Sequence, residues 1–138
     1  MTKAKSLLNL LEADDSISKL VKEYVVTLLW SESYEKEGEN DRPLDDDFSY
    51  EDMSKDALDK IAKDIKAFLD KASDLIDNDE GKYQGNYGHA MHDFCLTRNH
   101  HGAGFWDGDW TNGEELTKIA HSFGEMNAYP GDDGKIYV

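Results

Sequence analysis

Between Ser54 and Ile76 the apolar residues Leu58, Ile61, Ile65, Phe68, Leu69, Ala72, Leu75 and Ile76 recur at three- and four-residue intervals, with Asp and Lys filling the other positions. A stripe of that length must be buried against something, so it predicts a long helix laid on a core. Ser54 is placed to cap this helix, and Asp56 falls in the first turn, where the helix dipole favours an acid. The cluster Asp77-Asn78-Asp79-Glu80-Gly81 predicts its end, and Gly85 and Gly88 predict irregular chain to about residue 90.

A second stripe made of Ile17, Leu20, Val21, Tyr24, Val25, Leu28 and Leu29 predicts another helix of about four turns, with Ser16 as its N-cap. Before it, residues 1–15 carry Leu7, Leu8, Leu10 and Leu11 and read as an arm or short helix that docks on the domain or on a second copy. After Trp30 the stripe stops. Ser31 to Asp52 holds ten acids, Gly38 and Pro43, and reads as an exposed acidic loop partly ordered by Leu44, Phe48 and Tyr50. Its carboxylates lack the spacing and central glycine of a calcium-binding EF-hand.

From residue 92 the period shortens to two. Phe94 and Leu96 alternate with Asp93, Cys95 and Thr97, as in a strand with one buried face. Asn99-His100-His101-Gly102 has turn chemistry, and Ala103-Gly104-Phe105-Trp106 can return as the partner strand. Asn112 with Glu115 predicts a capped short helix that buries Leu116, Ile119, Ala120 and Phe123 and stops at Gly124. Met126 to Val138, turning at Gly131-Asp132-Asp133-Gly134, predicts a second hairpin. The expectation is therefore one α+β domain spanning 1–138: two long helices and one short helix on a small, mostly antiparallel sheet of two hairpins.

At 138 residues the chain holds one core. It has a single cysteine, Cys95, which excludes an internal disulfide framework and a multi-cysteine zinc site and fits a reducing cytoplasm. There is no apolar run long enough for a membrane span and no signal-peptide pattern at Met1-Thr2-Lys3-Ala4-Lys5, so a cytoplasmic protein without membrane contact is expected. The net charge is −15, and residues 32–80 alone carry eighteen acids against seven bases. That field repels nucleic acid and anionic lipid, which argues against direct nucleic-acid binding, and it attracts a basic protein surface.

The segment His92-Asp93-Phe94-Cys95-Leu96-Thr97-Arg98-Asn99-His100-His101-Gly102-Ala103-Gly104-Phe105-Trp106-Asp107 concentrates chemistry. His89, His92, Asp93, His100 and His101 are suitable metal ligands, but their spacing matches no strong zinc signature. Strand alternation would also put His92 and Asp93 on opposite faces, so no metal or other cofactor is expected. As an acid–base site, Asp93 or Asp107 could orient His92 or His101, with Arg98 and Asn99 holding an anion. Cys95 beside a histidine is a conceivable nucleophile. The plain structural alternative puts Phe94, Leu96, Phe105 and Trp106 on the sheet's buried face and pairs Arg98 with Asp93 or Asp107.

This segment resembles a motif of small proteins encoded by tailed bacteriophages and prophages: His-Asp-Phe, then Leu-Thr-Arg-Asn, a His-Gly turn and Gly-Phe-Trp-Asp. The likeness extends to Leu29-Trp30-Ser31, to the acidic stretch ending in Pro43-Leu44-Asp45-Asp46, and to Gly131-Asp132-Asp133-Gly134-Lys135. It covers the Trp30 to Asp52 region and most of 92–138. Four positions depart from it: Cys95 replaces a bulky aromatic, His100 replaces glycine, and Gly108-Asp109 replaces Arg-Gly. The resemblance implies an origin and no particular activity. Together with the charge it leads to an expected phage accessory protein, non-enzymatic, that engages a basic host protein in the manner of a DNA mimic. Asp45, Asp46, Asp47, Glu51 and Asp52 would form the acidic surface, and His92, Asp93, Arg98, Asn99, His101, Trp106 and Asp107 the second contact. The alternative is a small enzyme or ligand-binding protein using that same His/Asp/Arg/Asn set. Oligomeric state cannot be read from these residues.

Overall fold

The computed structural model describes residues 14–36, 38 and 40–138, so the arm expected at the N-terminus lies almost wholly outside the described residues. The fold is α+β: among the described residues, four α-helices accompany two small antiparallel two-stranded sheets. The helices are α1 (Asp14–Ser31), α2 (Lys55–Asp77), α3 (Tyr87–Arg98) and α4 (Gly113–Ser122). Strands β1 (Ser33–Glu35) and β2 (Asp41–Pro43) pair as one hairpin, and β3 (Tyr129–Pro130) and β4 (Ile136–Tyr137) as another.

The two apolar stripes form α1 and α2 as their spacing requires. Tyr24, Val25 and Leu28 of α1 and Ile61, Ile65, Phe68, Leu69 and Ile76 of α2 are fully buried. Ser54 caps α2 by accepting from the Ala57 amide at 3.0 Å. Ser16 is not a cap, because α1 is already helical at Asp14. The acidic stretch after α1 is more ordered than a loop. It holds the β1–β2 hairpin and two turns of 3-10 helix, Leu44–Asp46 and Tyr50–Asp52, with Leu44 fully buried against α1. The C-terminal hairpin docks at the start of α2, where Ile136 bridges Met53 and its carbonyl accepts from the Ser54 amide at 2.9 Å.

The largest departure from expectation lies at residues 92–106, which form no hairpin. Residues 87–98 are helical, and 103–106 return as a loop folded over the end of that helix. Asn86 caps α3 by accepting from the His89 amide at 2.9 Å. From Asp93 to Arg98 every residue of α3 is buried, so no polar face remains to reveal a helical period. Three of the buried residues are polar because each has an interior partner. Asp93 accepts from Trp110, Thr97 accepts from the Phe105 amide at 3.0 Å, and Arg98 pairs with Asp64 at 2.9 Å. That regular interleaving of polar and apolar residues imitates a strand. The loop's close approach needs Gly104, whose φ is +151° and where a Cβ would collide with Thr97 Oγ1.

Around α3 the core is aromatic. Phe94 stacks on Phe68 with centroids 4.1 Å apart and meets Tyr24 edge-on at 5.8 Å, while Phe105 meets Trp110 edge-on at 5.6 Å. α4 buries Leu116 and Ala120, and Ile119 and Phe123 pack at its margin. Asn112 stands at the N-cap of α4 as expected but makes no side-chain capping bond; its amide donates instead to the Leu75 carbonyl of α2 at 2.9 Å. No helix among the described residues is long and apolar enough to cross a membrane.

Candidate functional site

On a helix, residues three and four apart share a face, so reading 87–98 as α3 brings together His89, His92 and Asp93. Asp93 is buried and its carboxylate is the hub. Oδ2 accepts from the indole N–H of Trp110 at 2.7 Å and lies 3.4 Å from His89 Nε2, and Oδ1 lies 3.1 Å from His92 Nδ1. The expectation that His92 and Asp93 point to opposite faces is thereby overturned. Both imidazoles are about a third exposed or less, at 26% and 33%, so each is held from behind while one edge faces water.

Neighbouring rings fix the imidazole planes. Tyr83 stacks flat on His89 with centroids 3.5 Å apart, and His89 lies 5.1 Å from His92. Trp30, nearly half exposed on α1, tilts against His92 at 5.8 Å. Trp30 also walls a pocket of about 380 Å³, together with Ser31, Leu96, His101, Gly102 and Ala103. His89 and His92 do not line this pocket; Trp30, which leans on His92, and Leu96, one helical turn beyond it, stand between that imidazole and the hollow. On its far side His101 Nε2 meets a carboxylate oxygen of buried Glu32 at 2.9 Å, and the other Glu32 oxygen accepts from the Asn127 amide at 2.8 Å. The result is a small, mostly apolar hollow with one carboxylate-held imidazole, His101, in its wall, and the Asp93-held His92 on the other side of the Trp30 ring, a combination suited to binding a compact ligand.

The remaining sequence candidates divide differently. Arg98 is 2% exposed and pairs with Asp64, not with Asp93 or Asp107; its guanidinium also donates to the Gly124 and Phe123 carbonyls at 2.9 and 3.2 Å. Asn99 is buried and accepts from the Met126 amide at 2.8 Å. Neither is available to an outside partner, because the expected exposed turn is the buried C-terminus of a helix. Trp106, expected as a binding residue and put on a buried sheet face only by the plain structural alternative, is 55% exposed. It covers a groove of about 340 Å³ with Phe105, Trp110 and Thr117, and Asp107 lies exposed beside it. Cys95 is a core residue: burial, reinforced by the Glu32 carboxylate, pushes its thiol up to about 12, far from a usable thiolate.

Within the acidic set, Asp45, Asp46, Asp47 and Glu51 are exposed. Four of the five have local work: Asp46 and Asp47 pair with Arg42 at 3.8 and 2.9 Å, Glu51 accepts from the Ser49 hydroxyl at 2.9 Å, and Asp52 closes a capping box with Ser49. His89, Trp110, Tyr83, Trp30 and Glu32 complete the site and were not singled out as its members by sequence, apart from His89 as a possible ligand. The available signal was Asn86 three residues before His89, a helix start that would have set His89, His92 and Asp93 on one face. In comparisons with known proteins, no family model matches the chain, no curated protein matches it, and no solved structure matches its fold.

Proposed function

We propose that the protein binds a small ligand in the hollow between Trp30 and His101 and presents to it the imidazole held by Glu32. The observation that carries this reading is the preformed pocket with the Glu32-held His101 in its wall, closed on the other side by Trp30, which leans on the Asp93-held His92. A buried carboxylate orienting an imidazole sets which ring nitrogen is free to accept a proton. Apolar Trp30 and Leu96 favour a compact ring compound, and His101 supplies a polar contact at the far wall.

Screening small ring compounds by protein-observed NMR of the isotope-labelled chain tests this. Binders should move the Trp30 indole, Gly102 amide and His92 side-chain signals together, and Trp30→Ala or His101→Ala should abolish the effect. Binders that map only to the Trp106 groove, or none at all, would count against it.

A second reading rests on charge. With a net charge of −15 and Asp45, Asp46, Asp47 and Glu51 exposed along one short segment, the protein is suited to engage a basic surface of a host protein. The resemblance to phage-encoded proteins supports a setting in the host cytoplasm, and a nucleic-acid-processing or defence protein as the partner. The buried positions of Arg98 and Asn99 remove them from that contact.

A further inference from the structure

We infer that His89, His92 and Asp93 form a binding site for one divalent transition-metal ion of the zinc class. Their ligand atoms all lie within 4.8 Å of one another. At ordinary zinc–nitrogen and zinc–oxygen lengths a tetrahedral ion separates its N and O ligands by about 3.3–3.4 Å. The two imidazole nitrogens stand 3.4 and 3.1 Å from the Asp93 oxygens, so the spacing already approximates that of ligands sharing an ion. Two imidazoles and one carboxylate are a donor set that suits zinc and its neighbours better than calcium or magnesium, which prefer oxygen.

The carboxylate has the hydrogen-bond donor that a metal site's outer layer supplies, and the two imidazoles are held by ring contacts. Trp110 donates to Asp93 at 2.7 Å, Tyr83 stacks on His89, and Trp30 leans on His92, so each of the three ligands has a group fixing its orientation. On binding, each neutral imidazole would give the lone pair of the nitrogen that faces Asp93 and carry its proton on the other ring nitrogen. Because the histidines are partly exposed, at least one coordination position is left to water. The inference rests on the imidazole pair and not on the pocket of the ligand-binding reading.

The test is titration of the tag-free, metal-stripped full chain with Zn²⁺ by calorimetry and with Co²⁺ by visible absorption, at about pH 7.5, where imidazole is mostly neutral. One equivalent of Zn²⁺ should bind, and Co²⁺ should give a visible band that Zn²⁺ removes and excess Mg²⁺ does not. His92→Gln and the near-isosteric Asp93→Asn should each lose the band with unchanged circular dichroism. Trp110→Phe should weaken binding by about 10–100-fold. Weak binding without saturation, binding indifferent to His92→Gln, or displacement by Mg²⁺ would overturn the site and assign the effect to scattered surface carboxylates. If ring compounds still bind at Trp30 while the metals do not, the metal inference falls and the ligand reading stands; metal binding without ring-compound binding gives the reverse.

Discussion

Arg98 turns its guanidinium inward, over the faces of Phe94 and Phe123 at 5.1 and 5.8 Å, and joins α3 to α2 through Asp64 and to the chain after α4 through two carbonyls. Arg98→Ala would leave those carbonyls without a donor and Asp64 without its partner. Asp64 is itself a quarter exposed, which softens the loss. A destabilisation on the order of 3 kcal/mol is expected, read as a lowered urea midpoint. A midpoint within error of wild type would contradict the anchoring role. His100, just beyond α3, has a φ of +58°, a conformation that costs a residue with a side chain about 1–2 kcal/mol. His100→Gly should therefore stabilise the fold by up to about 1 kcal/mol, measured in the same denaturation series, part of the gain being offset by glycine's greater freedom when unfolded.

At the scale of elements, Asp79 shows how α2 and α4 are tied. It is buried just past the end of α2, and its carboxylate accepts from the amides of Gly81, Thr111 and Asn112 at 2.7, 3.1 and 2.8 Å. Burial alone would raise its pKa, but the backbone donors outweigh it and hold the group below the usual carboxylate value. A folded pKa below the unfolded one means that this tie contributes stability above the unfolded value, about 3.9, and loses it as pH falls through the lower folded value. Asp79→Asn should thus lower stability at neutral pH and flatten its decline below about pH 4. Parallel pH–stability curves for the two proteins would contradict this. Elements whose polar residues face water were legible in the sequence: α1, α2, α4 and the β3–β4 hairpin all follow from spacing and turn residues. α3 was not, because Asp93, Thr97 and Arg98 find partners inside, and a buried polar residue looks like a surface one until its partner is known. The partners lie far along the chain, at Trp110, Phe105 and Asp64, where no local pattern links them.

For the molecule as a whole, charge and site are separate. The acidic surplus belongs to residues 32–80, whereas the imidazole cluster sits on α3 behind Trp30 and Trp110. Reversing Asp45 and Asp46 to lysine changes the net charge by four and should leave the fold intact, since both side chains are exposed. If charge recruits a basic partner, capture from a bacterial lysate at low salt should be lost in this variant and in wild type at high salt. Capture unchanged by either would reduce the acidic surface to a solubility device. The candidate site was half visible beforehand. His92, Asp93 and His101 were identified by residue type, but their grouping depended on the helix, and Arg98 and Asn99 were misplaced for the same reason.

The central claim is that Asp93 holds two imidazoles on one face of α3, and long-range nitrogen–proton NMR of the histidine rings tests it most directly. In the metal-free protein with both rings neutral, His92 should carry its proton on Nδ1, the nitrogen facing Asp93, and His89 on Nε2. Asp93→Asn should return His92 toward the Nε2–H form that imidazoles prefer in water. Two rings in the ordinary Nε2–H form, unmoved by Asp93→Asn, would mean that Asp93 does not organise a site.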